Sequence, residues 1–144
     1  MGEDAAFTRG ASAGGFLLDG ARCALIICYD LRFAELARTL ALPGLDVLFV
    51  VSQWPEARAE HLSVLTQARA IENQMFVVLC NSCGRAGETK YGGNSAVVDP
   101  WGRVLARAGG GEQILSAELE LEKLDEIRAT IPVFVDRRPE LYRL

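Results

Sequence analysis

The stretch Cys23-Ala-Leu-Ile-Ile-Cys-Tyr-Asp-Leu-Arg-Phe-Ala-Glu-Leu36 begins as an apolar run, reaches a second cysteine at position 28, and then changes its period. Up to Ile27 the residues suit a buried strand. From Phe33 the apolar positions are Phe33, Leu36, Ala37, Leu40 and Ala41, the spacing of a helix with one buried face. Pro43-Gly44 stops that helix. Cys28 therefore stands where a strand turns into a helix. Backbone amides at the start of a helix have no partner within it, so they favour a thiolate and can hold an oxyanion. A thiol at such a corner has the geometry of a nucleophile, the cysteine counterpart of the serine elbow in hydrolases.

Working outward, residues 16–18 and 22–27 flank Asp19-Gly20, a pair suited to a tight hairpin turn. Residues 46–52 form a near-continuous apolar run, the mark of a central strand covered on both faces. Pro55 opens a second helix over about residues 56–73, with Leu62, Leu65, Ala68 and Ile71 as its buried stripe. Residues 75–80 read as another buried strand, and residues 84–93 as a polar, glycine-rich loop. Residues 94–98 and 103–108 alternate across Asp99-Pro-Trp-Gly102 and predict a second hairpin. A strand at about residues 114–119 and a short helix over 122–130 follow, and the tail to position 144 has no clear period. This order of elements implies a layered α/β fold with a mixed sheet.

A chain of 144 residues, half of them hydrophobic, buries roughly two thirds of its unfolded surface in one core, which makes one domain the default. A net charge of −4 supplies no basic stripe, which argues against a nucleic-acid partner and for a small molecule or a protein. No apolar run approaches the roughly 20 residues of a membrane span, and the first ten residues lack the basic-then-apolar pattern of an export signal. A soluble, cytoplasmic protein with no membrane partner is expected, its four cysteines reduced. Cys80-Asn-Ser-Cys83 has the spacing of a zinc ligand pair, but Cys23 and Cys28 point to opposite faces of a strand and cannot complete the set. No Trp-Cys-Gly-Pro context surrounds the pair, as a dithiol redox motif would have. Cys23, Cys80 and Cys83 read instead as small buried residues.

A nucleophile needs a base, and the inventory is short. His61, the only histidine, lies near the start of the second helix and reads as solvated or capping. Lys90 falls in the glycine-rich loop and Lys123 at the start of the last helix; neither is an obvious partner for Cys28. Glu35, Glu56, Glu60 and Glu72 sit on predicted helix surfaces and are expected to be solvated. Trp54 ends the central strand, where α/β folds place ligands, and is expected either to wall a pocket or to pack in the core.

Several of these segments together resemble a known family. ICYDLRFAEL, residues 27–36, resembles the nucleophile motif of the nitrilase (carbon-nitrogen hydrolase) superfamily. SQWPEARAEHLSVLTQARAIENQMFVVLCN, residues 52–81, resembles the segment that follows it in the omega-amidase-like branch, and GGNSAVVDPWGRVLA, residues 92–106, the next hairpin. The resemblance implies half of a four-layer α-β-β-α sandwich with a mixed sheet, usually dimeric, and a Glu-Lys-Cys catalytic set with a further glutamate. Cys28 matches the nucleophile, and the backbone amide of Tyr29 would serve the oxyanion. GEDAAFTRG, residues 2–10, resembles the segment carrying the further glutamate, which makes Glu3 the matching position.

In that family the base glutamate and the oxyanion-binding lysine lie upstream, so residues 1–144 correspond to the C-terminal part of a single hydrolase domain. Apolar edges are then expected to seek a partner, either a second copy in a homodimer or a complementing N-terminal half. The implied reaction is hydrolysis of a small amide through a cysteine thioester, as in 2-oxoglutaramate to 2-oxoglutarate and ammonia, with no metal or organic cofactor. Arg32 and Arg58 are candidate charges for the substrate's distal carboxylate. The alternatives are a nitrilase or carbamoylase of the same family, or a catalytically incompetent fragment acting as an interaction module.

Overall fold

Asp19 and Gly20 both take left-handed backbone angles, φ 48° and 85°, and close the expected hairpin between β1 (Gly15–Leu18) and β2 (Ala21–Ile27). The computed structural model describes residues 2–142. The chain continues through α1 (Ala34–Ala41), β3 (Val47–Ser52), α2 (Ala59–Asn73), β4 (Phe76–Asn81), β5 (Cys83–Ala86), β6 (Thr89–Gly92), β7 (Ala96–Val98), β8 (Val104–Arg107) and α3 (Leu124–Thr130). Six strands form one sheet in the order β1-β2-β3-β4-β7-β8. β2, β3 and β4 run parallel, whereas β1, β7 and β8 add antiparallel, so the sheet is mixed as expected.

Strand alternation divides the parallel centre between two faces. Ala24, Ile26, Leu48, Val50, Val77 and Leu79 face one way and join Leu62, Ala70, Leu40 and Leu31 in the main core. Burying each of the larger side chains contributes roughly 1.5–3 kcal/mol, so this layer holds the helices to the sheet. The buried face of α2 differs from the apolar stripe the spacing predicts. Leu62, Thr66, Arg69, Ala70 and Asn73 are buried, while Ile71 is 52% exposed. Thr66 donates to the Leu62 carbonyl and the Asn73 amide nitrogen to that of Arg69, so these polar donors are met within the helix although Asn73 Oδ1 is buried without a partner.

Three other expectations change. The segment read as a glycine-rich loop contains the ribbon β5–β6, closed at Gly87 with φ 55°, and Tyr91 bridges to Pro55. Its polar residues hide the pairing because both of its strands lie largely at the surface. Residues 114–119 pair with no strand among the described residues, because a strand exists only through a neighbour's ladder of hydrogen bonds. Leu119 and Leu121 nevertheless pack on the sheet, while Ile114 is 95% exposed. The predicted last helix begins as a 3-10 turn, Leu121–Lys123, and the tail holds another at Pro139–Leu141; positions 143 and 144 lie outside the described residues.

The opposite face of the sheet is covered only in part. Cys23, Val47 and Phe76 form one cross-strand row, packed under Leu124, Leu119 and Leu121. That cover is anchored by Arg128, which donates to the Leu45 carbonyl at 2.7 Å and pairs with Asp46, and by Gln74, which donates to the carbonyls of Ile127 and Ile131. In the next two rows, Leu25-Phe49-Val78 and Ile27-Val51-Cys80, the cover thins out: Phe49 and Val78 are half-buried against that cluster, whereas Leu25, Ile27 and Val51 are 48, 59 and 39% exposed. Phe16 extends the patch by stacking on Phe49. Edge strand β1 leaves Phe16, Leu17 and Leu18 exposed, and an exposed apolar area also lies on the sheet's second side. Leu25→Glu is expected to lower self-association and dye binding while changing unfolding free energy by less than about 1 kcal/mol; sedimentation and urea titration check both.

Candidate active site

β2 reaches the carboxyl edge of the parallel sheet at Ile27, and the next residue, Cys28, turns the chain with φ 47°. A left-handed cysteine is uncommon, because Cβ crowds the backbone there, and such residues persist only where their surroundings hold them. A 3-10 turn, Cys28–Arg32, follows, and α1 begins only at Ala34. The corner predicted between strand and helix is therefore present, but its free amides belong to the 3-10 turn rather than to the helix. Asp30 folds back so that its Oδ2 accepts the Ile27 amide at 3.0 Å, and Leu31, wholly buried, pins the turn to the core. Cys28 is half-buried against that core.

The neighbouring strand ends supply a polar lattice. Ser52 and Asn81 stand opposite each other at the ends of β3 and β4. Asn81 Oδ1 accepts from Ser52 Oγ at 2.7 Å and from the Trp54 amide at 2.8 Å, while its Nδ2 donates to the Gly93 carbonyl at 2.7 Å. Gly93 has φ 59°, and a Cβ there would lie 2.5 Å from the Gly109 carbonyl oxygen, so only glycine fits. Trp54, 3% exposed, is part of the main core and donates from its indole to the Arg58 carbonyl at 2.8 Å. The Arg32 guanidinium lies 4.6 Å from the centroid of the Trp54 ring and 5.9 Å from that of Tyr29, whose ring meets Phe33 edge-on. Cys28, Tyr29, Arg32 and Trp54 thus share one edge of the sheet.

Other predicted residues lie elsewhere. Glu3 sits in an exposed 3-10 turn, Glu3–Ala5, and its side chain makes no hydrogen bond or ion pair among the described residues. His61 is exposed on α2, and Arg58 is exposed. Both lysines are engaged: Lys90 pairs with Glu56 at 2.8 Å and Lys123 with Glu120 at 2.6 Å. Of the cysteines read as buried, only Cys23 is so, and burial together with nearby Asp46 pushes its thiol above the usual range. Cys80 is exposed on the uncovered sheet face, and Cys83 is half-buried at the start of β5. A cavity of about 650 Å³ is lined by Trp101, Arg103 and the start of α3 rather than by Cys28.

Sequence reasoning missed Asn81 and Ser52. Their signal is a polar residue ending each of two neighbouring apolar strands, a pattern that costs stability unless the pair is hydrogen-bonded. Asn81→Ala orphans the Trp54 amide and the Gly93 carbonyl in a buried setting. A loss of about 2–4 kcal/mol is expected in urea titration, with a red shift of tryptophan emission; a change below about 0.5 kcal/mol would contradict the lattice's role.

Comparison with known proteins agrees with this geometry. The carbon-nitrogen hydrolase family model matches residues 4–129. The chain is 44% identical over 142 residues to a 2-oxoglutaramate amidase of Bacillus subtilis, covering 99% of this chain and 55% of that protein. It superposes with a TM-score of 0.85 on Saccharomyces cerevisiae Nit3, a member of branch 10 of the nitrilase superfamily, at 30% identity over 97% of this chain and 51% of the other. A TM-score of 0.83 relates it to an amidase from Nesterenkonia sp. AN1 carrying a covalent acetamide adduct at its active-site cysteine, at 29% identity over 96% of this chain and 50% of that one. The chain spans about half the length of these relatives. By its family-model match, its sequence identity and its fold, the chain belongs to the carbon-nitrogen hydrolase family.

Proposed function

We propose that this chain carries the nucleophile half of an amidase that cleaves small amides of the omega-amidase type. The observation that carries the reading is Cys28 itself, held left-handed at the carboxyl edge of a parallel sheet. Its thiolate attacks the amide carbonyl, and the Tyr29 amide donates to the resulting oxyanion. The carbon–nitrogen bond then breaks, ammonia leaves with a proton, and water cleaves the thioester to release the acid and restore the thiol. The adduct on the cysteine of the Nesterenkonia amidase supports this choice of nucleophile. The name of the Bacillus relative supports 2-oxoglutaramate as substrate. Arg32 makes no ion pair among the described residues, and it is the cation proposed to meet the distal carboxylate, with Trp54 as the platform beneath it. Glu3 is assigned a supporting carboxylate role on resemblance alone, and that role requires its exposed turn to fold in against Cys28.

A base and an oxyanion-binding cation complete such a mechanism. Both lysines are engaged in ion pairs, and Cys28 lines none of the larger cavities. The remaining groups are therefore proposed to come from a complementing half of the domain that covers the Leu25 and Ile27 rows, the completed unit acting as a dimer in the cytoplasm. No helix among the described residues is long and apolar enough to cross a membrane. The uncovered face also favours a second reading, an interaction module without chemistry.

Ammonia release from 2-oxoglutaramate separates the two. The chain alone is expected to turn over little, and a polypeptide supplying the other half of a relative's domain is expected to raise the rate at least about a hundredfold, the worth of one oxyanion donor. Cys28→Ala should abolish the gain. Binding of that polypeptide without turnover would favour the interaction module.

A further inference from the structure

Arg69 is the only charged residue among the described residues that is buried, at 4% exposure. A buried guanidinium is costly unless its donors are met. Nε and Nη2 both donate to the Leu31 carbonyl, at 3.1 and 2.9 Å, and Nη1 donates to Glu72 Oε1 at 2.9 Å. Leu31 lies in the turn Cys28–Arg32, three residues past the thiol. Among the described residues no other side chain of α2 hydrogen-bonds that turn. The strained corner therefore sits between two ties: Asp30 holds the amide before Cys28, and Arg69 holds the carbonyl after it.

We infer that Arg69 is a positioning residue for Cys28: by gripping the Leu31 carbonyl it fixes the 3-10 turn, and with it the amides that face the thiolate, while Glu72 orients the guanidinium. The inference rests on Cys28 being the nucleophile. A left-handed residue relaxes when its surroundings loosen. Freeing Leu31 lets Cys28 leave φ 47° and swings the first amides of the turn away from sulfur.

The test is competitive alkylation of the full chain with iodoacetamide across the thiol titration range, read by peptide mass spectrometry for Cys28 and for exposed Cys80 in one sample. In the wild type Cys28 reacts faster near neutral pH. Arg69→Gln is expected to lower the Cys28 rate relative to Cys80 about tenfold and to move its pH midpoint upward, the scale of one charge-assisted hydrogen bond. Arg69→Lys should restore part of the loss. Glu72→Met, at a side chain 36% exposed, should shift the ratio and midpoint in the same direction by less, and it replaces Arg69→Gln if circular dichroism shows that variant unfolded. An unchanged ratio and midpoint in the folded variant overturns the inference, leaving Arg69 a plain tie between α2 and the turn. A wild-type Cys28 no faster than Cys80 overturns instead the nucleophile assignment beneath it.

Discussion

The constraint on which the candidate site depends is the way β2 leaves the sheet. A parallel strand must end its ladder before the chain can cross to a helix, and here the ladder ends at Ile27, paired with Val51. The very next residue reverses direction in the left-handed region, where a side chain costs roughly 1 kcal/mol or more. The energy to hold it comes from close by: Leu31 buried in the main core, Asp30 closing on the Ile27 amide, and Arg69 on the Leu31 carbonyl. Cys28 thereby projects from a rigid scaffold, as nucleophilic chemistry requires.

The same sheet explains what the chain leaves open. Its helix side is closed by α1 and α2, whereas α3 and its approach cover one row of the second side. Leu25, Ile27 and Val51 of the next two rows remain exposed on Cys28's strand and its neighbour. Covering them and walling the thiol are one event in the proposed unit, because Ile27 and Cys28 are consecutive residues. Hydrophobic burial would then assemble the reaction centre as it completes the fold.

Much of this was legible in the sequence where local chemistry decides the structure. Asp19-Gly20 forced the first turn, the apolar runs at 46–52 and 75–80 became the parallel centre, and the change of period after Cys28 placed the corner. What stayed hidden depends on partners distant in the chain. Arg69 and Asn73 fall outside the apolar stripe that the spacing of α2 predicts, yet both are buried, Arg69 through its bonds to the distant Leu31 carbonyl. Residues 114–119 read as a strand but pair with no neighbour among the described residues, and Cys80 reads as core although it is exposed. Asn81 and Ser52 gained meaning only through register, which a sequence of apolar runs does not disclose.

The most direct test of the account compares the unfolding free energies of Cys28→Gly and Cys28→Ala. In ordinary strand or helix backbone glycine is the less stable of the two by roughly 0.5–1 kcal/mol. With Cys28 held at φ 47° the order inverts, and glycine is predicted to equal or exceed alanine in stability. Alanine more stable by the usual margin would mean that the corner is unstrained and that the scaffold proposed for the nucleophile does not exist.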